Sequence, residues 1–469
     1  MKSKYKKLLG NSVIFAIGNL GSKIMQFIMV PIYSYTLTTS EFGKVDMLTA
    51  VISLLSPIVC LDIFDGVFRF ALDHTSNKKK LFSTGINFTL LISILILILS
   101  YFLNTFINNY PVFYTCVLLI ITIFYSLISN FARATGYVRQ YAAAGVINTL
   151  VMGISNILLL VIVRTGMNGY LISMINGQLI AIFYLMLFTK IMQYYNFRVF
   201  DKDTLSRLSK YSIPLIPNSV AWWFNSTSDR FFILAMVGAS ANGIYSLANR
   251  IPSLITTLTG IFFQSWQISV VEEYRKKNSR LFISNVFNVF VELLFFLSCT
   301  LLAVIRPIFK ILLSHNYYEG WKLTPWLLLV VIYSSTASFL GTIYTASKKT
   351  VPIMITTIYG AIINIIFSVI FIHIIGYSGA AIANAISFFV VSLLRYRDIY
   401  KDGKISISIK EVLFCHIVLL IECIILFTIN NDIIVIMLSI ILLLLFILIN
   451  KNFVMFVMMS ITKLLKRIF

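Results

Sequence analysis

Four basic side chains lie within stretches of this sequence that are otherwise apolar enough to cross a membrane. They are Lys23, Arg69, Arg230 and Arg250. A cation at membrane depth costs from about 2.5 kcal/mol upward, so it requires a partner or a wet cavity. Arginine and lysine also bind phosphate oxygens through charge-assisted hydrogen bonds. The four residues therefore indicate either local ion pairs or a water-filled cationic cavity that contacts an anionic substrate, and we favour the cavity.

Local pairing is the alternative that the sequence leaves open. Asp65 and Arg69 are one helical turn apart and can neutralise each other. Asp229 can similarly form an ion pair with Arg250 on the following helix.

The densest polar run in an apolar setting is 213–250, which predicts two helices joined by a short turn. Lipid does not tolerate this density of polar groups, so the polar face is expected to line a cavity. Aromatic and amide side chains there offer stacking and hydrogen bonds to sugar rings. The predicted substrate-binding residues are Lys23, Arg69, Arg230, Arg250, Trp222, Asn225 and Asn249.

Acidic residues within the predicted spans are candidates for ion coupling, because intramembrane carboxylates often take part in proton or sodium relays. The candidates are Asp229, Asp62, Asp65 and Glu292. Glu292 lies near the middle of its span with no obvious partner in the sequence. The coupling ion, H⁺ or Na⁺, cannot be chosen from these residues.

Composition assigns the chain to the polytopic membrane proteins. Of 469 residues, 59% are hydrophobic and 12% are charged, and the mean hydropathy is +0.91. The five cysteines form no CxxC pair and no His/Cys cluster, so we expect neither a disulfide framework nor a metal site. The sequence lacks a GxxxxGK[ST] motif, and we expect neither ATP-driven transport nor any other cofactor.

Hydropathy predicts fourteen spans, arranged as six, six and two. Each is long enough to cross a hydrocarbon core of ~30 Å. They lie near 8–37, 44–72, 81–103, 112–133, 141–163, 169–189, 211–237, 243–271, 281–305, 323–346, 352–374, 378–397, 411–429 and 433–450.

The distribution of Lys and Arg orients these spans. With both termini in the cytoplasm, 29 of the 38 basic residues fall in inside segments, five in outside loops and four within spans. Cytoplasmic loops are enriched in Lys and Arg, so this bias supports the predicted topology. The net charge of +21 is thereby explained without a nucleic-acid partner.

An internal repeat relates the two groups of six spans. Residues 40–45 align with 240–245, each time in the turn joining the first two helices of a half. Residues 166–170 align with 376–380 in the turn joining the last two. An even number of spans per repeat gives both halves the same orientation, related by an axis along the membrane normal. This predicts two lobes around a central cavity, with alternating access by rocking.

The predicted fold is therefore an all-α polytopic membrane protein with about 14 transmembrane helices, two parallel six-helix lobes around a central cavity, and a C-terminal helix pair. The expected domains are a first lobe, a cytoplasmic linker, a second lobe, an accessory helix pair and a basic amphipathic tail. Their predicted bounds are 1–190, 191–210, 211–400, 401–450 and 451–469.

Four segments of the sequence resemble the Wzx-type polysaccharide flippases of the multidrug/oligosaccharidyl-lipid/polysaccharide exporter superfamily. They are Asn11–Pro31, Glu41–Gly43, Ser228–Phe232 and Gly243–Ser246. The resemblance implies transport of an undecaprenyl-pyrophosphate-linked oligosaccharide repeat unit across a bacterial plasma membrane. It also implies that helices one, two, seven and eight border the cavity and that the last two spans form a groove for the lipid tail. The implied partners are this substrate, membrane lipid, a coupling ion and a polysaccharide polymerase, with the chain itself a monomer.

Two other function classes are alternatives to a flippase. A multidrug antiporter of the same superfamily carries cationic substrates that prefer acidic cavities, whereas basic residues outnumber acidic ones here. A membrane enzyme such as a polysaccharide polymerase or a glycan ligase is expected to need a large external loop. The longest predicted outside loop, 306–322, has only 17 residues. We therefore predict a transporter and not an enzyme.

Overall fold

The computed structural model describes residues 21, 25–73, 76–106, 110–274, 276, 278–347, 349 and 351–450. Within its helices, the side chains at 218, 221, 222, 225, 226, 264, 265 and 268 are not described. The first predicted span is described only over its last part, and the predicted tail at 451–469 lies outside the described residues.

Every long element of regular structure in the described residues is a helix. The first, α1, is described over 25–36. The others are α2 Thr39–Val59, α3 Ile63–Ala71, α4 Lys78–Phe106, α5 Val112–Ala134, α6 Val138–Asn156, α7 Gly166–Phe188, α8 Lys202–Ser212, α9 Ile216–Met236, α10 Ala239–Arg250, α11 Ser253–Glu273, α12 Ser279–Ala303, α13 Ile305–Leu312, α14 Thr324–Ala346, α15 Val351–Ile375, α16 Ser378–Lys401, α17 Ile409–Thr428 and α18 Asp432–Ile449.

Eleven helical stretches in the described residues are long and apolar enough to cross a bilayer. The predicted all-α polytopic fold is confirmed, and each predicted span after the first corresponds to a helix or a pair of helices. The seventh predicted span is α9, which carries the polar run ending in Asp229 and Arg230 and is not among the eleven.

Two predicted spans are broken, and the prediction of continuous helices there was wrong. The span predicted at 44–72 is divided between α2 and α3, because Leu61 and Asp62 adopt left-handed backbone angles, φ 54° and 53°. The span predicted at 243–271 is divided between α10 and α11 at Pro252. Both breaks fall in the second span of a repeat.

The helices form two compact units. The first consists of Met1–Leu234 with Gly238–Gly243, and the second of Ala235–Val237 with Ile244–Phe469. The domain bounds expected from the sequence stay a prediction.

The first unit has a core formed by α3, α4, α5, α7 and α8. Phe82 of α4 and Phe131 of α5 stack there, with ring centroids 4.2 Å apart. The polar segment that follows α7 is held against α4, since Ser83 Oγ donates to the Tyr194 carbonyl at 3.0 Å. Side chains three and four residues apart on a helix share a face, and α8 buries such a face through Thr204, Leu208 and Ser212. The segment predicted as a linker is therefore packed on the unit.

The second unit has an aromatic core. The rings of Trp266 on α11 and Phe339 on α14 stack with centroids 4.6 Å apart. Phe262 on α11 stacks on Phe290 of α12 at 4.7 Å. The indole of Trp266 donates to Thr342 Oγ1 at 2.9 Å, which satisfies its one donor away from water.

Within the first unit, α2 and the first turn of α10 meet at two glycines separated by the repeat offset. A Cβ on Gly43 would lie 1.9 Å from the carbonyl oxygen of Ala239, and a Cβ on Gly243 would lie 1.9 Å from that of Thr39. Asn242 Nδ2 also donates to the Gly43 carbonyl at 2.8 Å. The contact is reciprocal, as the repeat leads one to expect, and only glycine permits this approach.

Substitution of either glycine should therefore destabilise the first unit. We expect Gly43→Ala and Gly243→Ala each to lower the free energy of unfolding by about 1–3 kcal/mol, because backbone must move away from the new methyl group. Gly145→Ala in α6 is the matched control, since a Cβ there meets no atom within 4 Å. It should be neutral or stabilising by up to about 1 kcal/mol. Denaturant unfolding in detergent micelles measures all three, and equal stability of the Gly43 and Gly145 variants would contradict the close contact.

Candidate functional site

One face of α2 carries the contacts that position the candidate site. Thr39, Gly43, Asp46 and Ala50 follow one another at intervals of four, three and four residues, which places them on a single side of the helix. The Ala50 carbonyl accepts a hydrogen bond of 2.8 Å from Trp223 Nε1 on α9. This face therefore lies against both α9 and the start of α10.

An ion pair joins α2 to α9 on that face. Arg230 Nη1 lies 3.3 Å from Asp46 Oδ2, and the side chains of Arg230 and Asp46 are 23% and 3% exposed. The backbone N–H of Arg230 donates to Asp229 Oδ1 at 3.0 Å, and Asp229 is also buried. A buried carboxylate that loses its cation is strongly destabilising, so Asp46 fixes where the guanidinium of Arg230 sits.

Asp46 was missed by the sequence analysis. It lies just inside the second predicted span, and the repeat aligns it with Ser246, which has no charge. A comparison of the two halves therefore does not identify Asp46 as a charged residue of the site. The spacing from Thr39 and Gly43 is the feature that places it on the face toward α9.

Arg69 lies apart from this pair. Its Nη1 is 3.0 Å from Asp73 Oδ1, and both side chains are about half exposed. The local pairing considered for Arg69 is therefore present, but its partner is Asp73 and not Asp65. Arg69, on α3, is thus paired with a different carboxylate from the one that holds Arg230 on α9.

The remaining predicted binding residues are distributed as follows. Asn249 and Arg250 end α10 in the second unit, and both are half-buried. No ion pair of the Arg250 side chain is found among the residues that the structure describes. Lys23 and the side chains of Trp222 and Asn225 lie outside the described part.

The carboxylates proposed for ion coupling occupy different environments. Asp62 is 2% exposed and forms part of the break between α2 and α3, where its Oδ2 has no hydrogen-bond partner among the described residues. Such strained positions are concentrated at functional sites. Asp65 is exposed on α3. Glu292 is buried on α12 in the second unit, where α12 packs against α17.

Two further arginines are buried, contrary to their predicted places in loops. Arg395 lies in α16, and its guanidinium donates to the Ala337 carbonyl at 2.7 Å and to Thr356 Oγ1 and Thr357 Oγ1 at 3.0 Å. Arg306 donates to the carbonyl oxygens of Ile429 and Leu426 at the end of α17. These donors are directed at carbonyls and hydroxyls of neighbouring helices, so both residues hold helices together.

An apolar groove of about 450 Å³ lies in the second unit. It is bounded by α12, α14, α16 and α17, and its polar groups are few. The lining includes Phe295, Tyr333, Phe389, Leu413 and His416. Such a groove accepts a hydrocarbon chain without loss of hydrogen bonds.

The chemistry available at the ion pair is anion recognition. A guanidinium has five N–H donors in a planar fork. In Arg230 the side chain keeps 23% of its surface exposed while it contacts Asp46. A phosphate group approaching the exposed edge would compete with the Asp46 carboxylate for the same cation.

Comparison with known proteins decides the family. A family model described as "Polysaccharide biosynthesis protein" matches residues 8–266, which is more than half of the chain. The chain belongs to this family. No curated protein sequence matches it.

Solved structures share the fold of this polysaccharide biosynthesis protein. One described as "Lipid II flippase MurJ, inward closed conformation" aligns over 94% of this chain and 100% of its own, with a TM-score of 0.72 and 17% identity. An inward-facing multidrug resistance MATE family transporter of the MOP superfamily aligns over 82% and 98%, with a TM-score of 0.63 and 13% identity. An outward-facing MATE transporter aligns over 83% and 94%, with a TM-score of 0.54 and 12% identity. These matches confirm the all-helical polytopic fold that the sequence predicted.

The Asp46–Arg230 pair should behave as a coupled buried pair. We expect Arg230→Ala to lower the free energy of unfolding by about 3–5 kcal/mol, because it leaves Asp46 charged without a partner. The double variant with Asp46→Ala should recover part of that loss.

The exposed pair Arg69–Asp73 provides the control, because Asp73→Ala should cost less than about 1 kcal/mol. A double-mutant cycle from denaturant unfolding in detergent measures both pairs. Additive effects of the two substitutions at Asp46 and Arg230 would show that the side chains do not interact.

Proposed function

We propose that this protein is a flippase. It translocates an undecaprenyl-pyrophosphate-linked oligosaccharide repeat unit across the bacterial plasma membrane by alternating access, for synthesis of a surface polysaccharide of the capsule or O-antigen type. The family match and the fold shared with a lipid II flippase support this proposal. The single observation that carries it is the partly exposed Arg230, whose guanidinium is paired with the buried Asp46.

The proposed mechanism is an exchange of anions on one cation. In the absence of substrate, Asp46 neutralises Arg230 and keeps the polar face of α9 stable in the membrane. The pyrophosphate then displaces Asp46, because a phosphate oxygen accepts strong charge-assisted hydrogen bonds from a guanidinium. Return of Asp46 to Arg230 releases the pyrophosphate after translocation.

The other predicted binding residues complete this proposal. Arg250 and Lys23 contact the pyrophosphate in turn with Arg230, and Arg69 contacts it at the cytoplasmic side. Trp222, Asn225 and Asn249 contact the sugars. The apolar groove between α12, α14, α16 and α17 accommodates the lipid tail. Both termini lie in the cytoplasm, and the protein acts as a monomer that delivers its product to a polysaccharide polymerase.

A multidrug antiporter is the second candidate, since MATE transporters share the fold. The buried carboxylates Asp46 and Asp229 are the features that favour it, because they suit a cationic drug. Asp46, however, already pairs with Arg230. A flippase requires the Arg230 cation to bind an anionic substrate, whereas a drug antiporter requires the carboxylates of Asp46 and Asp229 to bind a cationic one.

Polymer export in cells distinguishes the two candidates. We expect Arg230→Gln and Arg250→Gln each to reduce export at least about tenfold at matched protein levels, because a lost charge-assisted contact is worth about 1.5–3 kcal/mol. Lipid-linked repeat units should accumulate at the same time. Arg198→Gln, at an exposed position outside the helices, is the control and should export normally.

Full export by both variants would contradict the proposed cationic site. Loss of drug resistance in a strain that expresses the protein, with unchanged polymer, would instead establish the antiporter.

A further inference from the structure

The interface between α12 and the helix pair α17–α18, here called the seam, contains two buried carboxyl groups. Glu292 on α12 is 2% exposed and Glu422 on α17 is 1% exposed. The three helices all belong to the second unit, and α12 packs against both α17 and α18. A role of these groups in transport rests on the proposed flippase function, whereas proton binding by them does not.

Glu292 lies in the more polar part of the seam. With Asn288, Glu411 and Cys415 it lines a narrow gap that has no room for a water molecule. Glu292 Oε2 and Asn288 Oδ1 are both buried there, and neither has a hydrogen-bond partner among the described residues. A carboxylate oxygen at this position would therefore be both dry and without a hydrogen bond.

Neither carboxyl group is paired with a cation in the part of the chain that the structure describes. The ion pairs of the described residues include neither Glu292 nor Glu422. Asp432 is the only titratable residue of α18. It lies at the start of that helix, near Arg306. His416 of α17 faces α14, where its Nε2 is 3.0 Å from the Tyr333 hydroxyl.

The other titratable groups of the seam carry no positive charge. They are Glu411 and the thiols Cys299, Cys415 and Cys423. The cations of α12 and α17, Arg280 and Lys410, are exposed near the starts of their helices. An isolated carboxylate in a dry apolar setting is so costly that the group becomes neutral instead. A sodium ion would require several oxygen ligands and space beside them, whereas a proton requires neither.

We propose that the seam is a proton-binding site, with Glu292 as the residue that holds the proton and Glu411 as its exchange partner. In the closed seam, the proton on Glu292 keeps the buried carboxyl group neutral. Glu411 lies in the first turn of α17 and is only half-buried, so it can pass the proton to water. Release of the proton leaves a carboxylate on Glu292 that favours hydration and separation of α17 from α12. Each transport cycle then binds and releases one proton as the accessory pair moves.

Infrared difference spectroscopy of the purified protein tests the proton directly. We expect the wild type at neutral pH to show carbonyl absorption from protonated carboxyl groups, with Glu422 contributing as well as Glu292. Glu292→Gln should lose the Glu292 component and keep the remainder. Raising the pH should remove the Glu292 component from the wild type, because deprotonation converts the acid to its carboxylate. Glu272→Gln, at an exposed position near the end of α11, should leave the absorption unchanged.

Polymer export at matched protein levels tests the role of the proton. Glu292→Gln imitates the protonated state permanently, so it should fold normally and reduce export at least tenfold, whereas Glu272→Gln should export normally. Equal carboxyl absorption in the wild type and Glu292→Gln, or wild-type export by Glu292→Gln, would overturn the proposal. Since the infrared measurement involves no transport, failure of the flippase function and failure of proton binding can be told apart.

Discussion

The structure depends on one constraint: a charged or polar group at membrane depth must be satisfied inside the protein. The described residues satisfy it in three ways. Arg395 and Arg306 donate to carbonyl oxygens of neighbouring helices and are thereby fixed. Arg230 pairs with one carboxylate and keeps an exposed edge. Glu292 has no cation at all. The first arrangement is suited to stability, whereas we propose that the other two exchange a partner, for an anion at Arg230 and for a proton at Glu292.

The exchangeable pair lies on a rigid part of the fold. Asp46 shares a face of α2 with Gly43, where α2 and α10 are in backbone contact. The Trp223 indole binds the same face one turn farther along. The position of Asp46 relative to α9 is thus determined by close packing on both sides. A small displacement of α9 would change the distance between Asp46 and Arg230. Helix packing would thereby change how far Asp46 neutralises the Arg230 guanidinium.

Much of this fold was predictable, because the bilayer imposes simple rules on composition, span length and charge. Hydropathy located the spans, and the repeat offset anticipated that Gly43 and Gly243 occupy equivalent places. The helix breaks at Asp62 and Pro252 were missed, since hydropathy does not distinguish one long helix from two short ones that continue each other. Arg395 was assigned to a loop because it lies at the end of an apolar run, and only the packing of α14, α15 and α16 shows its burial.

The candidate site was predictable in part. The unusual depth of Arg230 is visible in the sequence, but its partner Asp46 is almost 200 positions away and belongs to another helix. Pairing across such a separation follows from tertiary packing and has no local pattern. The partner of Arg69 was misjudged for a different reason: Asp65 and Asp73 both lie four residues away, and helix periodicity does not choose between them.

The central claim is that Asp46 and a pyrophosphate compete for Arg230. Affinity of the purified protein for undecaprenyl pyrophosphate in nanodiscs tests it most directly, with the wild type compared with Arg230→Gln and Asp46→Asn. The account predicts opposite changes: weaker binding by at least about tenfold for Arg230→Gln, and tighter binding for Asp46→Asn, because the competing carboxylate is gone. Equal affinities in all three proteins, or weaker binding after Asp46→Asn in a protein that remains folded, would contradict it.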